Sequence, residues 1–304
     1  MNLRPVKAEN LVTHAPSSIV RHHAQIAYAV ARATARSRPP IVFLHGLASN
    51  RTRWTEFIRE TSLKARHDLI TVDLRGHGES ITRRRFSLED WSADIAAILD
   101  QEKASQAIVV GHSMGAQAAL YFGAARPDNL AGLVLIDPVF REAILPAKRS
   151  FVRNGPLYSW AASAIRALNA VGIHRGALPP LDLHALDLKA REALASPEPD
   201  AVEKFVAQYS SAKADLKHIP HANYLQDMVE MFRALPPLDV ISCPVLALRS
   251  TVAGNQDDAI VAARLREMPR VTIQPIDCHH WPLTEQPVEV RTAIERWIET
   301  EISQ

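Results

Sequence analysis

A serine framed by glycines, Gly111-His112-Ser113-Met114-Gly115, is the stretch best equipped for chemistry. The apolar run Ile108-Val109-Val110 precedes it, and helix-forming residues through Ala118, Ala119 and Leu120 follow. A serine hydroxyl is a weak nucleophile, so it must project from a tight turn toward a base and a pair of N–H donors. A strand–turn–helix elbow does this at the cost of a strained backbone at the serine. Glycines on either side, lacking Cβ, let strand and helix crowd together there. The same five residues also fit an ordinary Gly-rich turn between a strand and a helix, so the surrounding elements decide.

Those elements alternate. Ile41-Val42-Phe43-Leu44 is a short, fully apolar run that ends in His45-Gly46-Leu47, and a helix is predicted from Arg51 to Thr61. Leu69 to Val72 ends in Asp73-Leu74-Arg75-Gly76-His77-Gly78-Glu79-Ser80. Ser87 followed by Asp90 starts a helix with Trp91, Ile95, Ile98 and Leu99 on one face. After the serine stretch, Leu130 to Ile136 is a strand ending in Asp137-Pro138. Upstream, Met1 to Ser18 reads as a loosely held lead-in, Ile19 to Arg21 as a short strand and Ile26 to Ala31 as an edge-region strand. This rhythm predicts a parallel sheet with helices on both faces. The C-terminal strand ends then share one rim, where ligands bind. His45-Gly46, Asp73, Ser113 and Asp137 all fall just past strand ends.

From Val139 to Pro237 the rhythm stops. Helical pieces are predicted at Tyr158–Val171, Leu186–Ala195, Ala201–Ala214 and Tyr224–Ala234. This is a helical insertion over the rim, dividing the chain into a core (1–138), a cap (139–238) and the remaining core (239–304). Strands resume at Val245–Leu248 and Val271–Ile276, and Val288 to Ile302 closes the chain as an amphipathic helix.

The bulk properties are undistinguished. The 304 residues are 47% hydrophobic and 22% charged, enough for a packed core, and the net charge is +2. That balance gives no reason to expect nucleic acid as a partner, and Arg83-Arg84-Arg85 reads as a solvated loop. Cys243 and Cys278 suggest neither a disulfide framework nor a zinc site. No charged-then-apolar leader and no run of about 18 apolar residues is present, so a cytoplasmic protein without a membrane span is expected. The oligomeric state is not readable.

Four motifs in order make the chain resemble the α/β-hydrolase superfamily, in its capped, cofactor-free esterase and lactonase-like branch. They are His45-Gly46-Leu47, Asp73 through Ser80, Gly111 to Gly115, and His280-Trp281-Pro282 with Glu285-Gln286-Pro287. The resemblance spans about Ile26 to Ile302. It implies the α/β-hydrolase fold: a mostly parallel central sheet, helices on both faces and a helical cap insertion. It makes Ser113 the nucleophile. It makes His280 the general base, past the last strand, with His279 the adjacent rival; only imidazole both accepts and returns a proton near neutral pH. The acid should follow strand Val245–Leu248, where relatives carry a short Gly-X-X-Asp turn. Here the loop from Arg249 to Asp258 is longer. Alignment on Ala259-Ile260-Val261 selects Asp258, with Asp257 and Asp137 as alternatives. The oxyanion donors would be the backbone N–H groups of Leu47 and Met114. His45 would brace the oxyanion loop, and Asp73, Arg75 and His77 would tie a strand-end loop to its neighbours. No cofactor and no metal are implied.

The expected function is hydrolysis of a small-molecule carboxylic ester or lactone through an acyl-enzyme. Alternatives with the same residues are a carbon–carbon bond hydrolase, a cofactor-free lyase or peroxidase-type enzyme, and a non-catalytic ligand receptor. Phe151, Leu157, Tyr158, Trp160 and Met228 are candidates for an apolar pocket or for cap core.

Overall fold

A computed structural model of the protein describes residues 15–195, 200–209, 211–252, 254 and 256–302. Its centre is an eight-stranded sheet in the order β1-β2-β4-β3-β5-β6-β7-β8. The strands are β1 (Ala15–Arg21), β2 (Ala24–Ala31), β3 (Ile41–Leu44), β4 (Leu69–Val72), β5 (Ala107–His112), β6 (Leu130–Ile136), β7 (Val245–Ser250) and β8 (Val271–Ile276). The β1–β2 and β2–β4 pairs are antiparallel, and the remaining pairs are parallel. β3, β4 and β5 are buried along their whole length, as continuous apolar runs covered on both faces require. One difference from expectation lies upstream: residues 15–18 belong to β1 rather than to a lead-in, while β2 lies second from the sheet edge, in the expected edge region. Residues 1–14 lie outside the described residues.

The helices in chain order are α1 (Thr55–Glu60), α2 (Leu88–Gln101), α3 (Met114–Ala125), α4 (Ser150–Arg153), α5 (Gly155–Ala170), α6 (Leu183–Leu194), α7 (Ala201–Tyr209), α8 (Ala212–Asp215), α9 (His221–Met231), α10 (Asp258–Leu265), α11 (Pro282–Glu285) and α12 (Pro287–Glu301). One core layer packs α2 and α3 against the sheet through Trp91, Ile95, Ile98, Leu120 and Phe122. The other packs α1 and α12 on the opposite face through Trp54, Phe57, Ile294, Trp297 and Ile298. α2 starts as its sequence predicts, with the Ser87 N–H donating to the Asp90 carboxylate at 3.0 Å. Between β6 and β7 the described residues form helices and no strand of the sheet.

β3 leads leftward to β4 in the sheet, whereas β5 lies on its other side. Neighbouring connections therefore diverge at the C-terminal ends of β3 and β5, which opens a crevice there. His45 through Leu47 follow β3, and Ser113 follows β5.

Candidate active site

Ser113 stands between β5 and α3 with φ 52° and ψ −115°. A non-glycine residue in that region carries strain of roughly 1–3 kcal/mol, held by its surroundings. Its neighbours show how. A Cβ on Gly111 would collide with the Gly115 carbonyl oxygen, and one on Gly115 with the carbonyl oxygen of Leu44. Only glycines permit strand, helix and the end of β3 to approach so closely. The Ser113 N–H donates to Ile136 O at 2.9 Å, which ties the turn to the end of β6.

The Ser113 hydroxyl meets His280 Nε2 at 2.8 Å, and His280 Nδ1 meets Asp137 Oδ2 at 2.5 Å. Asp137 follows β6 and is buried. Burial alone would raise its pKa. The hydrogen bond from His280, the imidazole charge and the Arg249 guanidinium outweigh that, and the carboxyl is held below its ordinary range. Its second oxygen accepts from the Ser250 N–H at 3.2 Å and pairs with Arg249 at 3.4 Å.

The carboxylate at His280 is therefore Asp137, an alternative in the sequence, rather than Asp258, which the family resemblance selects. Asp258 is 84% exposed at its side chain and pairs with Arg249 at 3.0 Å. Asp257 caps α10, accepting from the N–H groups of Ala259 and Ile260. The register explains the difference. Ile136 of β6 lies opposite Leu248 of β7, and the Asp137 N–H donates to Leu248 O. The two strand ends are thus at one height, and a residue following either can reach the same imidazole. β7 then runs on to Ser250, so its end supplies Arg249 and the Ser250 N–H to Asp137.

His279 does not reach Ser113. It is tethered to Glu285 through Nδ1 at 2.8 Å. His112 has a use that sequence reasoning missed. Its Nε2–H donates to the backbone carbonyl of His280 at 3.1 Å, joining the elbow to the histidine loop. Full burial pushes His112 down to about 3, so the ring is neutral and its donor is fixed. Only the pattern Gly-His-Ser marked it in the sequence. Arg249 was likewise visible only as part of an unusually long loop.

His45 accepts from the Leu74 N–H through Nε2 at 3.1 Å and donates from Nδ1 to Gly46 O at 2.8 Å. Burial holds its pKa well below the ordinary value, so it braces the loop as a neutral ring. Asp73 binds the Arg51 side chain and the N–H groups of Arg51 and Glu79. Arg75 pairs with Asp94 at 2.6 Å, and His77 with Asp227 at 3.2 Å. Gly46 sits against Ser113, since a Cβ there would be 3.5 Å from the serine Cβ. Met114 opens α3, where its N–H has no carbonyl four residues back to bond.

Ser113 and His280 open into a cavity of about 750 Å³. Leu47 and Trp281 line it from the strand-end side, and Phe151, Leu183, Tyr224 and Met228 from the helical segment. Of the five apolar-pocket candidates, Phe151 and Met228 reach the cavity, while Leu157 and Trp160 point to solvent. Both cysteines are free, and burial raises their thiols, Cys243 to about 11 and Cys278 to about 12. Among the described residues no cluster of His, Cys, Asp and Glu could hold a metal ion, and no helix is long and apolar enough to cross a membrane.

Residues 41–293 match the model of the alpha/beta hydrolase family. The chain belongs to that family. An abhydrolase domain-containing protein of Schizosaccharomyces pombe is similar, 22% identical over 280 residues that cover 89% of this chain and 96% of its own. A probable alcohol acetyltransferase of Saccharomyces cerevisiae is 25% identical over 275 residues, 87% of this chain and 78% of its own. A thermophilic esterase from Thermogutta terrifontis, at 21% identity, superposes with a TM-score of 0.67 over 94% of this chain and 98% of its own, which shows the common alpha/beta hydrolase fold. The chain is thus an enzyme of the alpha/beta hydrolase family.

Proposed function

We propose that the chain hydrolyses a carboxylic ester or lactone through an acyl-enzyme, with Ser113 as nucleophile, His280 as general base and Asp137 as the carboxylate that orients it. The observation carrying this reading is the unbroken hydrogen-bonded chain from a serine at a strained elbow through an imidazole to a buried, ionised carboxylate. His280 takes the Ser113 proton as the oxygen attacks the carbonyl carbon, and Asp137 stabilises the resulting imidazolium. The N–H groups of Met114 and Leu47 receive the oxyanion, each donor worth roughly 2.7–4 kcal/mol of barrier. Collapse of the tetrahedral intermediate expels the alcohol, which takes the proton from His280. Water, deprotonated by the same imidazole, then releases the acid and restores Ser113. Residues 139–238 act as a cap whose inner surface selects the acyl and alcohol groups.

Turnover of p-nitrophenyl acetate and butyrate tests this. Ser113→Ala should abolish hydrolysis and covalent labelling by a fluorophosphonate while leaving the melting temperature nearly unchanged. Unlabelled wild-type protein with no turnover would sink the reading. The acetyltransferase relative supports a second acceptor for the same acyl-enzyme. Ethanol added to the assay should then yield ethyl acetate in competition with acetate; acetate alone would leave water as the acceptor.

A further inference from the structure

The outward face of α5 is apolar along its length. Leu157 is 58% exposed, Trp160 70%, Leu168 49% and Val171, just past the helix, 73%. At 100° per residue these four fall within about 80° of the helix circumference. Ala162 and Arg166 occupy the opposite side, and Arg166 bonds there to Gln226 and the Ala222 carbonyl of α9. The helix thus already has its partner on the inner side, and its apolar stripe faces away from the molecule. That reverses the usual arrangement of a surface helix. Ile173, beyond Gly172, is exposed as well.

The charge around the stripe has one sign. From residue 143 to 181 the exposed charged residues are Lys148, Arg149, Arg153 and Arg175, and the span contains no Asp or Glu. This excess of four lies in a chain whose net charge is only +2.

We propose that the outer face of α5 docks on an anionic phospholipid bilayer. Trp160 and the aliphatic residues would enter the headgroup–acyl boundary, and the flanking cations would meet lipid phosphates. A convex helix carrying an aromatic, long aliphatic side chains and cations on both flanks suits a lipid surface, which needs no complementary groove. The charge sets the lipid class. Lys148 and Phe151, just before α5, line the cavity that holds Ser113. Docking would therefore bring the cavity mouth to the membrane, so that acyl-ester lipids are the substrates presented. That last step rests on the ester-hydrolase reading, whereas the docking itself does not.

The test is flotation of the full chain with phosphatidylcholine vesicles, with and without phosphatidylglycerol. The anionic vesicles should bind at least about tenfold more protein, and salt should release it. The double variant Leu157→Ser, Trp160→Ser should bind about tenfold less at an unchanged melting temperature. Tryptophan emission should shift to the blue on anionic vesicles in the wild type, and not in Trp160→Phe. Equal binding to both vesicle types, equal binding by the double variant, or a wild-type dimer that Trp160→Ser turns into a monomer would each overturn the proposal. Vesicle binding without p-nitrophenyl acetate turnover would sustain the docking and defeat the hydrolase reading; turnover without binding would do the reverse.

Discussion

An imidazole that receives a proton at Nε2 must already hold one at Nδ1, and that N–H needs an acceptor fixed in place. Asp137 meets His280 Nδ1 at 2.5 Å, and its other oxygen is held by Arg249 and the Ser250 N–H. Asp137→Asn keeps the shape of the side chain but can present an N–H to the ring and favour the wrong tautomer. Its kcat should fall on the order of 10³–10⁴-fold, by analogy with the same change in a serine protease. Asp258→Asn should change kcat less than about twofold, because an exposed carboxylate can go while Arg249 stays on Asp137. Steady-state rates on p-nitrophenyl butyrate decide it. A collapse in Asp258→Asn beside a near-normal Asp137→Asn would contradict the geometry.

Among the elements, the strands were the most legible. β3, β4 and β6 occupy the residues their apolar runs predict, because a buried parallel strand needs apolar side chains on both faces, and the half-buried edge strand β8 also falls where predicted. Ser113 and His280 were legible through motifs whose glycines and prolines have local backbone reasons. The carboxylate at His280 was legible only as the alternative Asp137, because the choice depends on which strands are neighbours, and no spacing along the chain records that β6 and β7 end side by side. The helical segment was legible as helix but not as surface, since an apolar helix face reads as core whether it turns inward or outward. The expected helix from Ala201 to Ala214 is instead α7 and α8, with residue 210 outside the described residues. α8 carries Asp215, which lines the cavity and is pushed up to about 6 by burial. Its unfolded value is about 3.9. Between those values the folded state keeps a proton that the unfolded state has lost, so stability falls as pH rises through this window. Above it the penalty is constant. Asp215→Asn removes the penalty and should raise the melting temperature at pH 8 more than at pH 4. Equal shifts at both would show that the carboxylate is solvated.

At the scale of the whole molecule, the helical segment is fastened to the core on two sides by buried carboxylates of its own. On one side Asp187 of α6 accepts from Arg53 at 2.5 and 2.6 Å and from Thr284 at 2.9 Å, joining the loop after β3 to α11. On the other, α9 meets the loop after β4. Asp227 pairs with His77, and the Asn223 amide donates to the carbonyls of Gly76 and Thr82 at 2.9 Å. Glu230 accepts from the Leu88 N–H, so the same helix also holds the start of α2. Groups buried this deeply are costly once a partner is lost, because the remaining charge stays desolvated. The segment therefore cannot leave the core without exposing both seams at once, and the two parts should unfold together. Urea unfolding followed by tryptophan emission and by far-ultraviolet circular dichroism should give one coincident transition. Asp187→Ala should lower its free energy by roughly 3–5 kcal/mol, the range for a broken buried pair, since it strands Arg53. Asp227→Ala should cost less, because the His77 left behind can give up its proton. Two separated transitions in the wild type would mean that the helical segment is an independent unit, and the seams would then be contacts between domains rather than part of one core.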